Sequence, residues 1–280
     1  MRHLIWIELK YDVFISFSWK DTRMADIMRR SLSVLLAVCL FALPLTAQRD
    51  FSFPVIKDGE IIIHHHGHSL CYNPEAMIPA WTAYTLYAGD MDGDAVRPGR
   101  FSPDPAQELA GLPLAEHWHY SNSGWVRGHM VPAGDLKYDQ DAMNDSFLTT
   151  NVCPMNMAFN NGIWKRLEEK IRKLAGKFDH VFIITGPILG ENRFGKVGES
   201  DILVPDAFFK AILVPYKNSY LSIGFLMPNE PAPPKSKLKD YAVTLAELES
   251  ATGLIFFASL PLGESFRIKE MLPLKELELY

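Results

Sequence analysis

The sequence predicts an α+β fold with a central, largely antiparallel sheet and flanking helices. Three observations predict it. Six short segments are rich in β-branched and aromatic residues, only two segments carry helical periodicity, and the two kinds do not alternate regularly as parallel βαβ units would. The 280 residues are 48% hydrophobic and 22% charged, an ordinary globular composition that supports a sizeable core.

The N-terminal residues have a different character from the rest. Tyr11 to Asp21 reads YDVFISFSWKD and resembles the first strand and loop of a TIR domain. That resemblance covers about a dozen residues of a fold that needs roughly a hundred or more. Arg29 and Arg30 then precede an apolar run from Leu32 to Leu43, followed by Pro44 and the small end Thr46-Ala47. Charged, apolar and small, in that order, is the layout of a secretory signal peptide over residues 24–47, with Met24 or Met28 as the expected start. Residues 1–47 are therefore expected to be absent from the mature protein. A secreted or periplasmic location follows, with no stable membrane span after cleavage. Residues 48–280 carry no repeat or low-complexity tract and read as one domain. Cys71 and Cys153 remain in it, either as a pair in an oxidising compartment or as two free thiols.

Within that domain the strand candidates are Glu60 to His64, Trp81 to Tyr87, Val181 to Thr185, Ala211 to Tyr216, Leu221 to Met227 and Leu254 to Ala258. Proline and glycine between Asp90 and Pro113, and again from Pro228 to Pro234, mark loops. One helix is expected over Gly162 to Leu174, where Trp164, Leu167, Ile171 and Leu174 share a face. A second, Val243 to Thr252, should stop at Gly253. His64, His66 and His68 would share one face of a strand and are weighed as a zinc site against a partly exposed edge.

The densest chemistry lies between Arg127 and Glu168. Arg127 and His129, two residues apart on an extended strand, pair a bidentate phosphate donor with an imidazole that titrates near neutrality. Downstream, Asn151, Asn160 and Glu168 bring amides and a carboxylate. If a helix begins at Asn160 or Asn161, an amide oxygen and the Glu168 carboxylate face one site, a donor set suited to a hard cation that keeps several waters. Taken singly, Asn160 and Asn161 read equally as helix caps. The formal net charge of −5 gives no overall pull toward a polyanion, so any such binding needs a local patch or a metal. Lys165, Arg166, Lys170, Arg172 and Lys173 are the basic residues flanking this segment.

These residues resemble the DNA/RNA non-specific endonuclease family, the ββα-metal or His-Me finger nucleases that include endonuclease G. Its Asp-Arg-Gly-His motif is met by Val126-Arg127-Gly128-His129. Its Asn-x-x-Pro-Gln, Asn and Trp-x-x-Leu-Glu pattern is met by Asn151, Pro154, Asn160, Trp164, Leu167 and Glu168. Further similarity runs from Trp81 to Pro261. The resemblance implies a ββα-metal active-site motif and hydrolysis of phosphodiester bonds in DNA and RNA. His129 would be the general base, and Asn160 would hold Mg²⁺, with Mn²⁺ able to substitute. Glu168 would orient water around the metal, Arg127 would touch phosphate and Asn151 would brace the site. Arg100, with Arg97 as rival, would stabilise the transition state. A homodimer stays open. Two departures, Val126 for aspartate and Met155 for glutamine, make a catalytically weakened nucleic-acid-binding protein the alternative.

Overall fold

The computed structural model describes residues 53–280 together with Glu8–Leu9 and Val13–Phe14. The chain divides into two units, Met1–Arg49 and Asp50–Tyr280. In the first, strands β1 (Glu8–Leu9) and β2 (Val13–Phe14) pair antiparallel. The expected signal peptide at 24–47 lies outside the described residues.

The second unit is built on a seven-stranded sheet. Its strands are β3 (Ile61–His64), β4 (Ser69–Asn73), β5 (Ile78–Tyr87), β8 (His180–Ile188), β9 (Ala207–Tyr216), β10 (Ser219–Pro228) and β11 (Ala242–Val243). They lie in the order β11-β10-β9-β8-β5-β4-β3, and every neighbouring pair is antiparallel. Strands β6 (Val126–His129) and β7 (Val152–Met155) form a separate antiparallel pair. The helices are α1 (Gln140–Asp145), α2 (Lys165–Phe178), α3 (Leu245–Thr252) and α4 (Leu262–Lys269). The α+β expectation holds.

Both faces of the sheet are covered, which explains why its central strands are apolar runs and not clean alternations. Val181, Ile183, Ile212, Val214 and Ile223 pack on one face with Leu167, Ile171 and Leu174 of α2. Phe182, Ile184, Ala211 and Leu213 point the other way and pack with Leu245, Leu248, Phe256, Phe257 and Ile268. Adjacent residues thus serve two cores through the period of two.

The fold corrects one expectation and decides two readings that the sequence left open. Leu254 to Ala258 is not a strand. Phe256 and Phe257 are both fully buried, Phe257 has φ 52°, and the Phe256 amide is taken by the Glu249 side chain at 2.9 Å. Burial made the run apolar without a ladder. Cys71 and Cys153 are free, buried thiols that belong to different core clusters, so they do not pair. The histidine run is a hairpin end: His64 closes β3, His65 N–H donates to His68 O at 2.8 Å, and β4, which had not been anticipated, starts one residue later. A turn cannot present the three histidines on one face. Among the described residues no group of three or more His, Cys, Asp or Glu could hold a metal, and no helix is long and apolar enough to cross a membrane.

Candidate active site

Strand β6 delivers His129 through a crowded crossing. Its register with β7 sets His129 against Val152, Gly128 against Cys153 and Val126 against Met155. Met155 lies over Gly128: a Cβ there would stand 2.1 Å from its sulfur, so only glycine permits the approach. The two departures from the family motif are therefore cross-strand partners, an apolar pair in place of a polar one. Neither lines the cavity described below.

Asn151 braces the other end of the pair. Its backbone carbonyl accepts from Met130 N–H at 2.9 Å, and its side chain accepts from Val131 N–H and donates to the Val131 and Ser146 carbonyls at 2.9–3.0 Å. The chain just after His129 is thus clamped by one buried asparagine.

After β7 the chain makes a single turn, Met157–Phe159, then a wide turn over Asn160–Trp164 in which Gly162 leaves helical geometry, and only then α2. Asn156 caps this entry, its side-chain oxygen accepting from the Ala158 and Phe159 amides at 2.9 and 3.1 Å. Asn160 is consequently not spent as a cap. The expected helix start at 160–162 moves to Lys165, and the widened turn is a local irregularity often found at functional sites.

A polar cavity of about 260 Å³ opens here, lined by His129, Asn160, Glu168, Arg97, Lys165 and Arg172 among others. Of the two candidate arginines, Arg97 lines it and Arg100 does not. Phe101 turns inward against His129 and Phe147, at ring separations of 5.0 and 4.9 Å, while its neighbour Arg100 is exposed. The Nε2 of His129 is enclosed without a hydrogen-bond partner. Burial, helped by the Arg97 guanidinium, lowers this imidazole to about 4, so it is neutral at physiological pH. Arg127 stands outside the cavity lining. Its guanidinium donates to His117 O at 3.0 Å and lies 5.5 Å from the Phe101 ring and 5.6 Å from that of Tyr120.

Behind the cavity sits a buried charge network that inspection of the sequence did not assemble. Lys210, in the middle of β9, is 0% exposed; its Nζ donates to Met130 O at 3.3 Å and lies 4.5 Å from the Trp164 ring. Asp135 pairs with Arg172 at 2.7 Å and accepts from the Tyr84 hydroxyl at 2.7 Å. Burial raises the Glu168 carboxyl well above its usual range, and the Lys210 ammonium draws it back. Burial likewise lowers Lys210, opposed by Glu168 and Asp135. One signal was legible: Lys210 is the single charge in the apolar strand AFFKAILVPY.

The donor set fits a hard divalent cation. Asn160 and Glu168 supply oxygen donors to one polar, open cavity, and the lack of a carboxylate or histidine cage among the described residues suits an ion that keeps most of its waters.

Comparison with known proteins resolves what the geometry leaves general. The family model for DNA/RNA non-specific endonucleases matches residues 50–262. The chain belongs to the DNA/RNA non-specific endonuclease family. Among relatives, the mitochondrial nuclease EXOG of Mus musculus is 33% identical over 78% of this chain and 62% of its own length. Nuclease C1 of Cunninghamella echinulata is 34% identical over 71% and 83%, and the mitochondrial nuclease 1 of Schizosaccharomyces pombe 30% identical over 71% and 66%. The chain thus spans about three fifths of the EXOG relatives it matches. A solved structure of EndoG in complex with EndoGI shares the fold, with a TM-score of 0.64 at 23% identity over 77% of this chain and 92% of that one.

The expectation of a secreted or periplasmic endonuclease is overturned by these relatives, several of which are mitochondrial nucleases. The family's ββα arrangement is present here as β6, β7 and α2.

Proposed function

We propose that the chain is a metal-dependent endonuclease that hydrolyses phosphodiester bonds of DNA and RNA without sequence specificity, its activity residing in a single domain over residues 48–280. The observation that carries this reading is the cavity in which His129, Asn160, Glu168 and Arg97 converge. His129, kept neutral by burial, accepts the proton of the attacking water. Asn160 holds Mg²⁺, for which Mn²⁺ can substitute. An ion held there would supply Lewis-acid stabilisation of the charge that develops on the phosphate and the leaving oxygen. Glu168 orients water beside it, and the buried Lys210 together with the half-buried Arg172 favours the ionised form of that carboxylate. Arg97, a cation lining the cavity, takes the role of stabilising the negative transition state, in preference to Arg100. Arg127 binds phosphate just outside, and Asn151 keeps the backbone after His129 in place.

Against the weakened-enzyme alternative, Val126 and Met155 are cross-strand neighbours and neither lines the cavity, which supports the catalytic reading. The test is cleavage of plasmid DNA and of RNA by the full chain with Mg²⁺. EDTA should stop it, and His129→Ala should lower the rate by a factor of about 10² or more, in line with loss of a general base. A gel shift without cleavage, in excess Mn²⁺, would instead establish a binding protein. Undiminished cleavage by His129→Ala would remove the mechanism.

A further inference from the structure

Of the tryptophans among the described residues, Trp81 and Trp164 are fully buried and Trp125 is half-buried, whereas Trp118 is 66% exposed. Among the described residues only Val96, Leu262, Phe266 and Tyr280 are large apolar side chains as exposed. The short turn that carries it, His117–Tyr120, is held rigid. Glu116 N–H donates to the His119 ring at 2.8 Å, Ser121 N–H donates to Trp118 O at 2.9 Å, and the buried Tyr120 anchors the turn. The Trp118 and His119 ring centroids are 3.9 Å apart, so one side of the indole is supported and the rest faces solvent.

This turn adjoins the cavity through a continuous row of contacts. The His129 ring meets Phe101 at 5.0 Å, Phe101 meets the Arg127 guanidinium at 5.5 Å, and Arg127 donates to the carbonyl of His117, the residue before Trp118. An aromatic face preorganised beside a cation that binds phosphate is the arrangement that holds a single nucleic-acid strand, because every base offers a π-face while the backbone needs positive charge. An apolar protein partner fits poorly, since the turn that carries the ring also carries His117 and His119 and accepts a hydrogen bond from Arg127.

We propose that Trp118 is a stacking site for an unpaired nucleobase of the strand whose phosphate lies at Arg127, an inference that rests on the nuclease reading. In a duplex the bases are already stacked on one another, so the site favours single-stranded DNA or RNA over paired strands.

Binding of fluorescein-labelled single-stranded DNA, single-stranded RNA and matched duplex DNA to the full chain carrying His129→Ala, followed by anisotropy in EDTA, tests this without cleavage. Trp118→Ala added to that protein should weaken single-strand binding about tenfold, leave duplex binding within about twofold, and be largely rescued by Trp118→Phe. Loss of equal size on single strand and duplex, or no loss on either, overturns the stacking site. A difference confined to DNA or to RNA supports it and assigns the strand. Absence of plasmid and RNA cleavage by the wild type would count against the nuclease reading, while the binding arm still decides on Trp118.

Discussion

Lys210 shows how one residue ties the candidate site together. It lies on the sheet face that packs against α2, donates to the carbonyl next to His129 and covers the ring one turn before Glu168. A buried ammonium is expensive to desolvate, and here Glu168 and Asp135 offset that cost. Removing one member of such a network leaves the others uncompensated. Lys210→Met should therefore destabilise the fold by about 3–5 kcal/mol, read from urea denaturation, and should slow cleavage as well. A stability unchanged within about 1 kcal/mol would show that the ammonium is not needed to balance the carboxylates. His129, Asn160 and Glu168 were legible because they stand at motif spacing along the chain. Lys210, Tyr84 and Asp135 were not seen as one group, since they come from β9, β5 and the loop after β6 and meet only through packing.

The entry to α2 is decided at the scale of the element. Helical spacing of Trp164, Leu167, Ile171 and Leu174 located the helix, and all four are buried as that spacing requires. Spacing did not locate its start, because Asn156, Asn160 and Asn161 are all competent caps. The structure gives the cap to Asn156, and the wide turn that follows leaves Asn160 lining the cavity. Asn156→Ala should cost about 1 kcal/mol, which for a domain of this size lowers Tm by roughly 2–4 °C. It should also reduce cleavage more than such a loss of stability explains, since Asn160 is placed by the turn. Calorimetry beside initial rates checks both, and an unchanged rate with a lowered Tm would separate the cap from the site. The β6–β7 pair carries a related lesson: Val126 and Met155, 29 residues apart in the chain, stand opposite each other in the register.

Across the whole molecule, two enclosed histidines make stability depend on pH. Burial holds His68 down to about 3 and His129 to about 4, both from an ordinary value of 6.5. The unfolded chain takes up these protons as pH falls below about 6.5, whereas the folded chain resists, so their stabilisation is present above that value and is lost progressively toward pH 4. Glu168 and Asp135, raised by burial, act in the opposite sense. The comparison of variants isolates the histidine contribution. His68→Gln should flatten the fall in unfolding free energy between pH 6.5 and 4.5 by up to ~1.4 kcal/mol per pH unit, the slope for one proton. Chemical denaturation at several pH values measures it, and parallel slopes for the two proteins would refute it.

The sequence alone determined the fold class, the domain from residue 48 onward as a reading, the family, and the order of His129, Asn160 and Glu168, because periodicity and motif spacing are properties of the chain. Only the tertiary structure decided that Arg97 and not Arg100 lines the cavity, that Leu254 to Ala258 packs without a ladder, that the two cysteines stay apart and that Lys210 stands behind the site. Each of these depends on which distant segments burial brings together, and that free energy counts the apolar surface and charge assembled in three dimensions, with no record of separation along the chain.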